Sequence, residues 1–73
     1  MTGKETIIDG YRVEMEPNAD RPDAMDCFIS IGRYSASLSA LEDNGVLTDL
    51  DAEKPVPAVT IDRITQWATD NGY

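Results

Sequence analysis

The chain contains no histidine and one cysteine, Cys27, among its 73 residues. A single thiol forms no internal disulfide, which fits a reducing cytoplasm and argues against a disulfide-stapled secreted scaffold. With no histidine to take its proton, and set in an apolar strand pattern, Cys27 reads as a small hydrophobe rather than a nucleophile. Ser30, Ser35, Ser37 and Ser39 lack a base for the same reason. The scarcity of histidine and cysteine also weighs against a transition-metal site. The five glycines are isolated from one another, so no phosphate-cradling loop is present. No apolar run approaches a membrane span, and MTGKETIIDG has no signal-type apolar stretch, so a cytoplasmic location is expected. Basic residues are scarce as well: six Lys and Arg stand against fourteen Asp and Glu, a net charge of -8. That balance repels nucleic acid and anionic membranes and favours basic partners. The plainer reading is that the acidity only keeps a small domain soluble.

What is present is enough apolar sequence to fold. At 41% hydrophobic the chain is too apolar for a disordered segment, and 73 residues make one small domain, residues 1–73, with a thin core. Such a core draws support from a partner or from a homodimer.

Tyr11, Val13 and Met15 alternate with Arg12, Glu14 and Glu16, the period of a half-buried strand. Ile7 and Ile8 stand before Asp9-Gly10, which reads as a hairpin turn between two short strands or a bulge in one longer strand. Four residues per arm is marginal for a hairpin, so one strand with a local kink is expected. Residues 17–26, PNADRPDAMD, form an exposed connection. A second strand follows in CFISIGRY, antiparallel to the first, with Cys27, Ile29 and Ile31 on one face and Phe28 and Ser30 on the other.

In YSASLSALEDNGV the alternating serines favour a strand, while Leu38 and Leu41 fit a helix. Asn-Gly is equally a hairpin-turn signal, but the ending decides for the helix: with Asn44 as C-cap, Gly45 at C′ and Val46 at C″ against Leu41, it fits a Schellman stop. In the segment after it, GVLTDLDAEKPVPAV, Val46, Leu47, Leu50 and Val56 are expected to touch the core while Pro55 and Pro57 keep the chain extended, with a short strand over Val46 to Thr48 compatible with that. The last helix is predicted to start at Thr60 as N-cap, with Val59 stapling to Ile64 and Asp62 at the positive end of the dipole. Ile61, Ile64, Trp67 and Ala68 supply its apolar stripe, and Asp70-Asn71-Gly72-Tyr73 its stop. Tyr11 and Trp67 are assigned to the core. The expected architecture is α+β, a small antiparallel β-sheet with two short helices packed on one face.

The chemistry lies in the carboxylates. Asp49, Asp51 and Glu53 take positions 1, 3 and 5 of a calcium loop, but Lys54 and Thr60 stand where such a loop needs Gly and Glu, so an EF-hand is excluded. No metal and no cofactor is expected. Pairs such as Glu14 and Glu16 have the chemistry for acid and base work, yet the chain is too small to enclose a substrate, so no enzyme is expected. Ten of the fourteen acids fall in two groups: Glu14, Glu16, Asp20, Asp23 and Asp26, then Glu42, Asp43, Asp49, Asp51 and Glu53. Carboxylates two positions apart on a strand stand roughly 7 Å apart, a spacing that matches alternate Lys or Arg side chains in a phosphate-tracking groove. These ten residues are the candidate partner-binding set.

In size, acidity, lack of catalytic groups and its closing TIDRITQWATDNGY helix, the chain resembles the small accessory proteins of bacteriophages and other mobile elements, and among them the anti-CRISPR inhibitors. The likeness is one of character over the whole chain and carries over no individual residue. It implies stoichiometric binding to the basic surface of a CRISPR surveillance complex, excluding target DNA or a recruited nuclease. The alternative is a phage assembly factor or homodimeric adaptor whose acidity is solvation. Its binding would then centre on an apolar patch such as Phe28, Tyr34 or Trp67.

Overall fold

A computed structural model describes residues 3–73. Six strands form one antiparallel meander in chain order: β1 (Lys4–Ile8), β2 (Tyr11–Pro17), β3 (Met25–Ile31), β4 (Tyr34–Ser37), β5 (Val46–Thr48) and β6 (Glu53–Pro55). Helix α1 (Leu38–Asn44) stands between β4 and β5, and α2 (Ala58–Asp70) follows β6. The expected α+β class is what the chain adopts.

Pleating sorts the side chains. Tyr11, Val13 and Met15 of β2 and Cys27 and Ile29 of β3 point to one face, where Leu38 and Leu41 of α1, Leu47 of β5, Val56, and Ile64 and Ala68 of α2 complete a buried core. Ile61 and Trp67 pack against its border, as the α2 stripe requires. With both helices on this face, the opposite face of the sheet is left uncovered.

Three expectations need correction. Asp9-Gly10 is not a kink within a strand but a two-residue hairpin turn, with φ of 50° at Asp9 and 87° at Gly10. Positive φ at both positions is the turn whose twist matches the flanking strands. The first arm is longer than expected because the polar Lys4, Glu5 and Thr6 join it, pairing with Met15, Glu14 and Val13. The last helix starts at Ala58 with Pro57 as N-cap, so Thr60 is not its cap and Val59 is exposed rather than stapled. Thr60 is buried inside the first turn, and its hydroxyl donates to Asp9 Oδ2 at 2.8 Å. Residues 34–37 form a strand before α1 begins, so the serine alternation and the leucine spacing were each right for half of the segment.

Both stops work through glycine. Gly45, at φ 65°, donates its N–H to the Leu41 carbonyl at 2.7 Å, a one-bond left-handed cap on the expected residues in place of the expected two-bond Schellman pattern. At the end of α2, Gly72 N–H bonds the Thr69 carbonyl at 3.2 Å and Tyr73 N–H the Ala68 carbonyl at 2.9 Å. That is the full two-bond Schellman pattern, with Tyr73 in the predicted place.

Candidate binding face

Directly opposed residues of antiparallel strands point to the same side, so register alone defines the uncovered face. One row across the sheet runs Glu5, Glu14, Phe28, Ser37, and the next Ile7, Arg12, Ser30, Ser35, Thr48, Glu53. Glu16 and Asp26 oppose each other in a third. Two carboxylate pairs, Glu5 with Glu14 and Glu16 with Asp26, therefore face each other directly across strands, an arrangement that costs stability.

Neighbouring groups relieve each pair. The Arg12 guanidinium sits between Glu5 and Glu14, within 2.9 Å of Glu14 Oε1 and hydrogen-bonded to Glu5. Its pKa is raised first by the Glu5 hydrogen bond and then by the charges of Glu14 and Glu5. Asn18 Nδ2 donates to both oxygens of Asp26, at 3.0 and 3.2 Å, while its Oδ1 accepts the backbone N–H groups of Asp20 and Arg21. Asn18 thereby ties the 18–24 connection to the start of β3 and fixes how it is displayed.

Apolar surface lies among these charges. Phe28 is 44% exposed in the row beside Glu14, and Ile7 is 72% exposed on the edge strand. Three shallow depressions open on this side of the sheet: one by Phe28, Glu14 and the serines, one by Ile7, Thr6 and Arg12, and one by Lys4, Glu14 and Glu16.

The structure gathers part of the sequence-predicted set. Glu14, Glu16 and Asp26 share the uncovered face, with Asp20 and Asp23 in the connection beside it. The second group is dispersed. Glu42 and Asp43 are exposed on α1, on the other side of the sheet, whereas Asp49 and Asp51 lie in the β5–β6 turn and Glu53 on the outermost strand. Asp49 approaches Arg33 at 3.9 Å. Among the described residues, no group of three or more His, Cys, Asp or Glu side chains is placed to hold a metal ion. No described helix is long and apolar enough to cross a membrane.

Sequence reasoning missed Glu5 and Arg12. The usable signal was Asp9-Gly10: a two-residue turn there sets Glu5 opposite Glu14 at once. At the Met25 end of β3, Tyr73 stands near Cys27, Glu42 and Asp26, and its phenol is held above its ordinary pKa by burial first, then by those three groups. Burial pushes the Cys27 thiol up to about 11, and Glu42 adds to the shift. A buried thiol of that kind is a packing group.

Fold and face together define a small α+β sheet protein with its helices on one side and an acidic, partly apolar face on the other. Compared with protein families, curated proteins and solved structures, the chain shows no significant match.

Proposed function

We propose that the protein is a non-enzymatic inhibitor that binds stoichiometrically, through its uncovered sheet face, to the basic nucleic-acid-binding surface of a protein complex. The target class is that implied by the resemblance, a CRISPR surveillance complex in the bacterial cytoplasm, in which case the gene would be of phage or mobile-element origin. One observation carries the reading: the directly opposed carboxylate pairs on the open face. Arg12 and Asn18 offset part of the repulsion within the pairs, and the cost that remains is of a kind commonly retained where it serves binding. Opposed and alternate carboxylates offer charges at roughly 5 and 7 Å intervals, against which Lys and Arg lining a nucleic-acid channel can pair. Complementary charge then sets on-rate and specificity, and Phe28 supplies a desolvated anchor.

The exposure of Phe28 and Ile7 also favours a second reading, an assembly or adaptor module bound through apolar contact alone. Salt separates the two, because screening weakens pairing between exposed charges and leaves apolar contact nearly unchanged. The test is capture of purified surveillance complexes on immobilised protein at low and high salt, with wild type, a Glu14→Gln/Glu16→Gln/Asp26→Asn variant and a Glu42→Gln/Asp43→Asn control. Capture that falls at least about tenfold at high salt, is lost in the open-face variant and is kept by the control supports inhibition by the acidic face. Capture unaffected by salt and by the open-face variant, but lost on Phe28→Ala, assigns the adaptor reading instead.

A further inference from the structure

The two edges of the sheet are built differently. The β6 edge has three residues, ends in Pro55 and is followed closely by Pro57, which is how natural sheets blunt an edge against pairing. The β1 edge has five residues, KETII, with no proline, and among the described residues no strand lies outside it. In a two-residue hairpin the closing pair, here Ile8 with Tyr11, exchanges both backbone hydrogen bonds. Thr6 and Lys4 therefore also direct their backbone groups at β2, and Glu5 and Ile7 direct theirs outward. Lysine on an edge is another blunting device. Lys4, however, is drawn to the helix side, where its Nζ donates to Asn71 Oδ1 at 3.2 Å.

We infer that β1 pairs antiparallel with β1 of a second copy about a two-fold axis through Thr6, joining two sheets into one of twelve strands. Side-chain chemistry selects that register. Centred on Thr6, Glu5 opposes Ile7 of the second copy and Lys4 opposes Ile8, so no like charges meet. Threonine opposes threonine, a favourable cross-strand pair. The outward groups of Glu5 and Ile7 then exchange four N–H···O bonds with those of the second copy, as the alternation of an antiparallel ladder requires. Centring on Glu5 sets glutamate against glutamate, and centring on Ile7 sets Glu5 against Asp9. The two Ile7 side chains become diagonal neighbours on the open face, which covers much of the apolar surface now exposed there.

The helices leave room. Helix α2 runs from Asp9, which accepts hydrogen bonds from Thr60 and Arg63, toward Lys4, which bonds Asn71. It lies over the β1–β2 hairpin rather than over β2 alone: its ends bond Asp9 and Lys4, and Val13 and Met15 beneath it are fully buried while Thr6 and Ile8 are half-buried. In the dimer the two α2 helices lie between two and three strand spacings apart, about 10–14 Å, against a helix diameter of about 10–12 Å, so they meet side by side without overlapping. The pairing does not depend on the inhibitor reading and responds oppositely to salt. Two chains of charge -8 repel, so added salt strengthens the dimer, whereas it weakens docking of the acidic face on a basic target.

A five-residue edge buries little area, so the expected Kd is weak, roughly 10 μM to 1 mM. Thiol trapping reads such an association directly. The Thr6 pair has no hydrogen bonds between its members, so its Cα atoms stand about 4.5 Å apart, inside the range of about 4.4–6.8 Å that a disulfide spans. Under mild oxidation, Thr6→Cys should give a covalent dimer of twice the 8.0 kDa chain mass, while Glu5→Cys, whose partner position is Ile7, should not. The native thiol of Cys27 is buried and does not compete. Sedimentation of the untagged wild type up to about 1 mM should show the dimer, with its fraction rising with salt. Ile7→Pro removes only an outward-pointing donor; it should keep the native circular dichroism spectrum and sediment as a monomer. Ile7→Glu, opposing Glu5, should also be monomeric, and Ile7→Lys should stay dimeric. The inference is overturned if wild type stays at chain mass throughout, if Ile7→Pro dimerises while folded, or if Glu5→Cys is trapped as well as Thr6→Cys.

Discussion

Asp9 does two things at once. Its left-handed backbone makes the β1–β2 turn, and its carboxylate receives Thr60 Oγ1 at 2.8 Å and Arg63 Nη1 at 3.0 Å, tying the hairpin to the first turn of α2. The Arg63 pair is exposed and contributes little. The buried Thr60 hydroxyl matters more, because without Asp9 it has no acceptor there. Asp9→Ala is expected to cost about 2 kcal/mol in urea unfolding, from a strained turn plus an unsatisfied hydroxyl. Asp9→Asn, which tolerates positive φ and keeps an oxygen for Thr60, should cost less than half as much. Cys27 predicts a pH response. Its folded-state pKa is raised from 9.0 to about 11, so the neutral thiol is favoured in the fold. The associated stability is fully present below pH 9 and is lost as pH rises toward 11. Unfolding free energies measured at pH 8 and pH 10.5 should differ more in wild type than in Cys27→Ala, once both are referred to their own pH 8 values. Thiol reagents at pH 8 should react only as fast as the chain opens.

At the scale of elements, α2 closes the core through Ile64 and Ala68, both fully buried. Ile64→Ala is expected to cost about 2–5 kcal/mol, a large share of what a small domain possesses, so circular dichroism at 37 °C should already show partial unfolding. Gly45→Ala tests a cap: only Ile61 Cδ1 lies near the added methyl, at 3.6 Å, so the effect is that of φ 65° alone. About 1 kcal/mol of destabilisation is expected in the same urea assay. These elements differ in how plainly the chain announces them. Strands β2 and β3 were legible because their apolar residues alternate over a full strand length, and both helix stops because glycine alone takes the left-handed cap without strain. Strand β1 was not, since Lys4, Glu5 and Thr6 look like a polar tail until the Asp9-Gly10 turn pairs them with β2. The start of α2 was misplaced because Thr60 has the chemistry of a cap. Its hydroxyl is engaged instead by a residue 51 positions earlier, a contact no local pattern reveals. Strand β6 was missed because Pro55 and Pro57 mark an extended linker unless the strand lies at an edge, and Leu50, expected against the core, is instead exposed in the β5–β6 turn.

For the whole molecule, separation along the chain is a poor guide to proximity in space. Glu14, Glu16 and Asp26 were found together because strand alternation is a local rule and their strands are neighbours. Glu42 and Asp43 were grouped with Glu53 by sequence distance, yet α1 lies on one side of the sheet and the row ending in Glu53 on the other. Charge is thus divided between one continuous sheet face that carries Phe28 and scattered sites on helix and turn. Only the first has the extent and the apolar anchor that a stable interface needs. Removing its opposed charges should also relieve repulsion. Glu16→Gln is expected to leave the chain as stable as wild type, or more stable by up to about 0.5 kcal/mol, while weakening partner capture. A gain in stability with a loss of binding from one substitution is the signature of a residue kept for function. Whether the acidic face blocks nucleic-acid binding is read most directly from target-DNA binding by a panel of purified CRISPR surveillance complexes, titrated with wild-type protein and with a Glu14→Gln/Glu16→Gln/Asp26→Asn/Phe28→Ala variant of confirmed fold. Wild type should block DNA binding by at least one complex at one-to-one stoichiometry, and the variant should not. Undiminished DNA binding across the panel, or equal inhibition by the variant, would contradict inhibition through this face.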